Sequence, residues 1–371
     1  MLQTMGAPDF SLARWLCVIS SPFVTEVFVP FQSKMANKNY QMSTGVTAVV
    51  QKVVEACQDE SKRLDLIEIA RSYPPNQLRN MQRTFQAITG TFLDAFLKKH
   101  LSKDFESLVL MLYKPRAQLL CELIRGATKG AGTDEKCLVD VLLTIETHEV
   151  REIRQLYYQL YNDSLGDVVR KDCGDKYMWA KLINAVATGD RIPRDTHELE
   201  EDLVLVRKAI ETKGVKKDEV STWIRIFATY TRADFRQLHK MYSAKYNGDS
   251  LRAGVEDEFQ GLDEYAFKLA HDFLYDPCCA AAFSMNVAFA GSGSDSDRLN
   301  RITAMHFREC KGCKYYYKKV YGQAFDERCA TELKGVYGDA IKLLWEPVTV
   351  PLLSMDDYQG SEQHRPMTLE L

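Results

Sequence analysis

Apolar residues recur at intervals of three and four along almost all of residues 45–346, and no alternation of period two persists anywhere. That spacing predicts amphipathic helices and no sheet. Val46, Val49, Val50, Val53, Val54 and Cys57 share one helical face, and Leu64, Leu66, Ile67 and Ile69 begin a second. Pro74-Pro75 opens a third, with Leu78, Met81, Phe85 and Ile88 on one side. Phe92, Phe96 and Leu97 predict a short fourth helix, and Phe105, Leu108, Val109 and Leu112 a fifth. The order then repeats. Pro115 can open a helix striped by Leu119, Leu120, Leu123 and Ile124, and Leu138, Val141, Leu142 and Ile145 follow. Thr147 reads as an N-cap before Val150, Ile153, Leu156, Tyr157 and Leu160. Leu165, Val168 and Val169 predict a short helix, and Tyr177, Ala180, Leu182, Ile183 and Val186 complete the second set.

Between the first and second helices of that set lies Lys129-Gly130-Ala131-Gly132-Thr133-Asp134-Glu135. Two glycines one residue apart permit positive φ and can turn carbonyl oxygens into one concavity. Thr133 is placed to cap the next helix, with Asp134 and Glu135 favouring its positive end. Alone, such a loop is weak evidence, because most glycine turns are only turns. Here it recurs. Gly291-Ser292-Gly293-Ser294-Asp295 has the same form, Gly214-Val215-Lys216-Lys217-Asp218-Glu219 is a degraded copy, and Gln58-Asp59-Glu60-Ser61-Lys62 a further degraded one. The intervals of 72, 84 and 77 residues (58→130, 130→214, 214→291) mark a repeat architecture. The expected division is a unit at 45–126, a second at 127–202 that includes a connector, a third at 203–276 and a fourth at 277–346. The connector, from Thr188 to about Asp202, carries Glu198, Glu200, Glu201 and Asp202 and reads as a solvated linker.

The 371 residues are enough for such an array, and an apolar content of 46% supports a core. A net charge of −3 excludes a large basic surface, so nucleic acid is not an expected partner. An anionic membrane becomes one only if a bound cation supplies positive charge. Ten scattered cysteines read as reduced thiols in a cytosolic protein. Residues 1–44 read as an unstructured extension. Trp15–Ile19 is too short for a membrane span and a poor signal peptide, and Met35 is a plausible true start. Residues 347–371 lose periodicity and read as a mobile tail.

Period, helix count and loop together resemble the annexin family over about residues 45–346. The loops and the cysteine usage are most similar to the alpha-giardins, annexin relatives from a flagellated protist. The resemblance implies an all-α fold of four five-helix repeats with right-handed helical packing in a slightly curved disc. It implies no enzymatic activity. It further implies calcium-dependent binding to anionic, phosphatidylserine-like phospholipid, Ca2+ being the only cofactor, with a link from membrane to cytoskeleton. Its calcium pattern carries over as carbonyl ligands from Thr128, Gly130 and Gly132, with an acid 39 residues after Thr133, which is Asp172. Counting back from Gly174 instead reaches Lys171, which cannot bind a cation, so Asp172 is preferred. In the fourth unit the implied carbonyls are those of Phe289, Gly291 and Gly293, and Glu332 is the carboxylate, one residue short of the spacing. His100 holds the acid position of the first unit, where no site is expected. In the third, Lys216 and Lys217 oppose a cation; they can touch phosphate, pair with Glu256 or simply be solvated. The expected location is cytoplasmic, peripheral on the inner face of the plasma membrane, or at flagella or cytoskeleton.

Three carbonyls and one carboxylate fall short of the six to eight oxygens calcium takes, so water or a lipid phosphate must complete each shell. Intrinsic affinity is then weak, in the range of roughly 10⁻⁴ to 10⁻³ M, and calcium and membrane promote each other's binding. A calcium-independent helical scaffold for tubulin or another cytoskeletal protein is the rival reading. TPR and HEAT units, however, are two helices over about 34 to 47 residues. An enzyme is disfavoured. Cys310-Lys311-Gly312-Cys313 has redox spacing but no βαβ context, Cys278-Cys279 reads as packing, and a His306–Cys310 metal cluster lacks further ligands. Asn162-Asp163-Ser164 is a sequon that a cytosolic chain does not use, and Tyr315–Lys319 reads as one helix face with snorkelling lysines.

Overall fold

The computed structural model describes residues 44–212, 217–291 and 293–346. The expected start at Met35, the tail at 347–371 and Lys216 lie outside the described residues. Among the described residues there are 20 α-helices, one 3-10 turn (Glu60–Lys62) and no strand. They fall into four sets of five. The first is α1 (Thr44–Gln58), α2 (Leu64–Ser72), α3 (Pro75–Thr89), α4 (Leu93–His100) and α5 (Lys103–Leu112). The second is α6 (Arg116–Thr128), α7 (Glu135–Leu142), α8 (Thr147–Tyr161), α9 (Leu165–Cys173) and α10 (Met178–Thr188). The third is α11 (Thr196–Thr212), α12 (Lys217–Thr229), α13 (Arg232–Lys245), α14 (Leu251–Glu258) and α15 (Gly261–Tyr275). The fourth is α16 (Pro277–Ala288), α17 (Ser296–His306), α18 (Cys313–Tyr321), α19 (Phe325–Glu332) and α20 (Gly335–Leu344).

Two expected boundaries fall inside helices. The division at 126/127 cuts α6, because the glycine loop follows the first helix of its unit and does not precede it. The division at 202/203 cuts α11. The expected linker is therefore helical from Thr196 onward, and its acids are not all solvated. Leu199, Asp202, Leu203 and Val206 form the buried stripe of α11 at steps of three and four. Asp202 is fully buried there, bound by the Arg225 guanidinium and by the Tyr230 hydroxyl. Burial pushes its carboxyl up, while Tyr230 and Arg225 pull it back down. The caps also differ by one residue from expectation. Asp134 caps α7 in place of Thr133, and Glu146 caps α8 in place of Thr147, in a capping box with Glu149.

The chain divides into two compact units. One, containing the described residues 44–101, holds α1–α4 around Val50, Val53, Leu66, Ile67, Phe85 and Leu97. The other, from Ser102, holds α5–α20. Within it α5 packs on α17 and α20, so the last helix of the first set belongs with the fourth set. Asn300 donates to the Asp104 carbonyl across that contact (3.1 Å). A continuous core runs from α6 through α15 and reaches Met305.

His306 closes the inner end of α17 in this core, its Nε2 3.0 Å from the Thr144 hydroxyl. Burial, and secondarily the Arg116 cation, lower its pKa to about 3. The folded state therefore holds it neutral where the unfolded chain, near the ordinary value, takes up a proton. Its stabilising contribution is complete above that ordinary value of 6.5 and is lost as pH falls from there towards 3. The expected slope is about 1.4 kcal/mol per pH unit. Urea unfolding at pH 7 and pH 5 should show it, and His306→Gln should flatten it.

Candidate metal centre

The second-set loop joins α6 to α7, and the fourth-set loop joins α16 to α17. Each is closed by the same backbone bond. Asp134 N–H donates to the Ala127 carbonyl (2.9 Å), and Asp295 N–H to the Ala288 carbonyl (2.8 Å). Each aspartate then caps the following helix, accepting from Cys137 N–H (2.9 Å) and from Arg298 N–H (3.0 Å). Inside these rings Gly130 and Gly132 have φ of 118° and 100°, and Gly291 and Gly293 have 109° and 99°. Side chains rarely adopt these angles. Crowding is not the reason for glycine, since a Cβ built at any of the four meets nothing within 4 Å. Glycine is there for the backbone path, over open space.

Counting from buried helix anchors compares the two acid positions directly. In α9, Leu165 and Val169 are buried; in α19, Phe325 and Cys329. Asp172 and Glu332 are each seven residues past the first anchor, the same helical position. Lys171 is one step off it. The Cys173 thiol is pushed up to about 12 by burial, with the Asp172 and Glu135 carboxylates adding to the shift. Asp172 thus shares a neighbourhood with the first residue of α7, directly after the loop. Helix α9 also packs against α6, and Asn184 fixes the segment after α9 by donating to the Gly174 carbonyl (2.7 Å). In the fourth set, Phe325 packs on Phe289 with ring centroids 6.1 Å apart.

The same count corrects the third set. Seven past the buried Leu251 is Glu258, while Glu256, taken from loop spacing, is tied to Arg252 (2.6 Å) and Lys268 (2.8 Å). In the first set the position is His100, whose ring packs tilted against Phe96 with centroids 4.5 Å apart, and the Lys62 ammonium pairs with Glu55 (3.0 Å) where the loop would form. One further residue at the fourth loop was not legible as part of it. Arg328 Nη2 donates to the Phe289 carbonyl (2.7 Å) and lies 3.2 Å from Glu332 Oε1. Its only sequence signal is the Arg-x-x-x-Glu spacing within α19.

Elsewhere the cysteines differ in burial from expectation, the CxxC pair being the more enclosed. Cys310 and Cys313 are buried, and their thiols are pushed up, Cys310 by its hydrogen bond to Cys278 and Cys313 by desolvation. Cys278 and Cys279 are only partly buried. His306 bonds Thr144 and is not turned to Cys310 as a ligand. Among the described residues no three His, Cys, Asp or Glu side chains converge as a metal cluster. The donors the two loops offer are main-chain oxygens plus one carboxylate, a set that fits a hard, oxygen-seeking cation such as calcium.

The general annexin family model matches residues 120–182, spanning the second loop and Asp172, and a model of the fourth repeat of annexin E1 matches 281–346, spanning the fourth. Both segments that hold the glycine loops thus match annexin repeats. Annexin A1 from Cavia cutleri is 26% identical over 304 residues, covering 81% of this chain and 85% of that protein. Giardin subunit alpha-1 from Giardia intestinalis is 25% identical over 300 residues, covering 79% and 98%. The crystal structure of calcium-bound alpha-1 giardin shares the fold, with a TM-score of 0.71 at 24% identity over 81% of this chain and 98% of that one. The chain thus resembles annexins and the alpha-giardins and has the all-α annexin repeat fold. That resemblance supports calcium-dependent phospholipid binding in general, by proteins that are generally non-enzymatic.

Proposed function

We propose that this annexin-like protein binds anionic, phosphatidylserine-like membranes through calcium ions held at its second and fourth loops. The ion at the second loop is held by the carbonyls of Thr128, Gly130 and Gly132 with Asp172, and at the fourth by those of Phe289, Gly291 and Gly293 with Glu332. A lipid phosphate oxygen and water complete each shell. The observation that carries this reading is the identity of the two loops in closure, capping and paired positive-φ glycines. The segment after Asp172 supports it. Tyr177 is 50% exposed there, with the Lys176 ammonium 5.1 Å from its ring centroid, a pairing suited to a headgroup layer. Bound at a cytoplasmic leaflet, the protein is peripheral, and no described helix is long and apolar enough to cross a membrane. A link onward to tubulin or another cytoskeletal protein rests on the alpha-giardin resemblance alone. Co-sedimentation of the full chain with phosphatidylserine vesicles over a calcium series is the test. Binding that rises with millimolar calcium and reverses with chelator is expected. Binding that ignores chelator, or none at all, would leave a helical scaffold in its place.

A further inference from the structure

The two loops differ in one respect that the shared pattern does not contain. At the fourth, a guanidinium bridges two of the proposed calcium ligands, the Phe289 carbonyl and the Glu332 carboxylate. The Arg328 side chain is 30% exposed and that of Glu332 is 21% exposed, so the bridge has limited access to water. The Arg328 guanidinium also sits 5.9 Å from the centroid of the Phe289 ring, which holds it over the loop. Counted from the buried anchors, the second-set residue at this position is Val168, and Asp172 has no ion pair among the described residues.

We infer that Arg328 is a tethered cation that competes with calcium for the fourth loop, so that this loop fills at higher calcium than the second. The inference rests on the calcium-loop reading above and adds a filling order to it. A monovalent guanidinium satisfies the carbonyl and the carboxylate by charge-assisted hydrogen bonds. Calcium must displace it before those oxygens can turn to the ion. The fraction of molecules with Arg328 swung away scales the apparent affinity, a cost the second loop does not carry. Once displaced, the guanidinium stands beside the ion, positioned for the same phosphate.

Terbium luminescence sensitised by the protein's own aromatics reads site occupancy without lipid, and calcium displacement of terbium gives the competing affinity. The full chain carrying Asp172→Ala isolates the fourth loop. Adding Arg328→Gln to it should lower the half-saturating terbium and calcium concentrations roughly tenfold, the size of one ion pair plus one charged hydrogen bond. Arg328→Lys, which keeps the charge but not the fork, should fall between. An unchanged or raised half-saturation in Arg328→Gln, with unaltered melting, overturns the inference and makes Arg328 a structural clamp. Should Arg328→Gln fold poorly, equal affinities for Arg328→Lys and the parent overturn it as well. If the unmutated chain binds neither terbium nor calcium, the loop reading itself fails, an outcome distinct from loops that fill but ignore Arg328.

Discussion

Asp172→Ala combined with Glu332→Ala is expected to reduce vesicle binding to the chelator level across the millimolar calcium range. In the proposed sites each loop has a single charged ligand, and its other donors are neutral carbonyls. Without the carboxylate the second and fourth sites lose the term that selects a divalent ion over water. The single variants should each still bind, with calcium midpoints raised several-fold, because one remaining contact keeps part of the avidity of two linked sites. The double loss should therefore exceed the sum of the single shifts. Folding is a weak confounder. Asp172 has no ion pair among the described residues, and the Arg328–Glu332 pair is of the partly exposed kind worth at most about 1 kcal/mol. Melting curves should stay near the parent's. A midpoint unmoved by Asp172→Ala, beside a clear effect of Glu332→Ala, would mean that the second loop does not carry calcium to the membrane.

The helical architecture was legible because burial imposes a period of three and four that no other element produces. The loops were legible because positive φ leaves glycine little competition. What failed were two of the handovers from one unit to the next and the phase of the acids. The division at 126/127 followed the glycine loop as a landmark, but a loop inside a unit marks no unit boundary. The acidic run at 198–202 looked solvated because charge was read without phase. Asp202 is three residues from Leu199 and four from Val206, so the helix turns it inward to Arg225 and Tyr230. Spacing from the loop chose Glu256 for the third set, yet the distance from loop to acid is not constant: it is 39 residues from Thr133 to Asp172, 38 from Ser294 to Glu332 and 41 from Lys217 to Glu258. The buried residues that open α9, α14 and α19 are a steadier origin, and from them the position is Glu258. Arg328 was invisible for another reason. Its role depends on a carbonyl 39 residues away, and no local pattern reports a partner of that kind.

The second large effect is expected at Asp140. This carboxylate is on α7 and is 1% exposed, where α7, α15 and α17 of three different sets meet. Arg298 Nε is 3.1 Å and Arg301 Nη2 2.6 Å from its Oδ2, and the Tyr265 hydroxyl donates to Oδ1. The arginines are 3% and 6% exposed, so neither can turn to water. Asp140→Ala leaves two guanidinium ions facing each other in a dry core with no counter-charge. Breaking a buried pair in this way costs about 3–5 kcal/mol, a large share of the roughly 5–15 kcal/mol by which domains are stable. The cost comes from stranded charge and not from the worth of the contact, which has a consequence of its own. Asp140→Leu combined with Arg298→Met and Arg301→Met should recover most of the loss, because removing all three charges together removes the desolvation penalty as well. Urea unfolding of the parent, the single and the triple variant decides it. A single variant within about 1 kcal/mol of the parent would show that water reaches the arginines, and a triple variant no better than the single would show that the network holds three sets in register by geometry that packing alone does not replace.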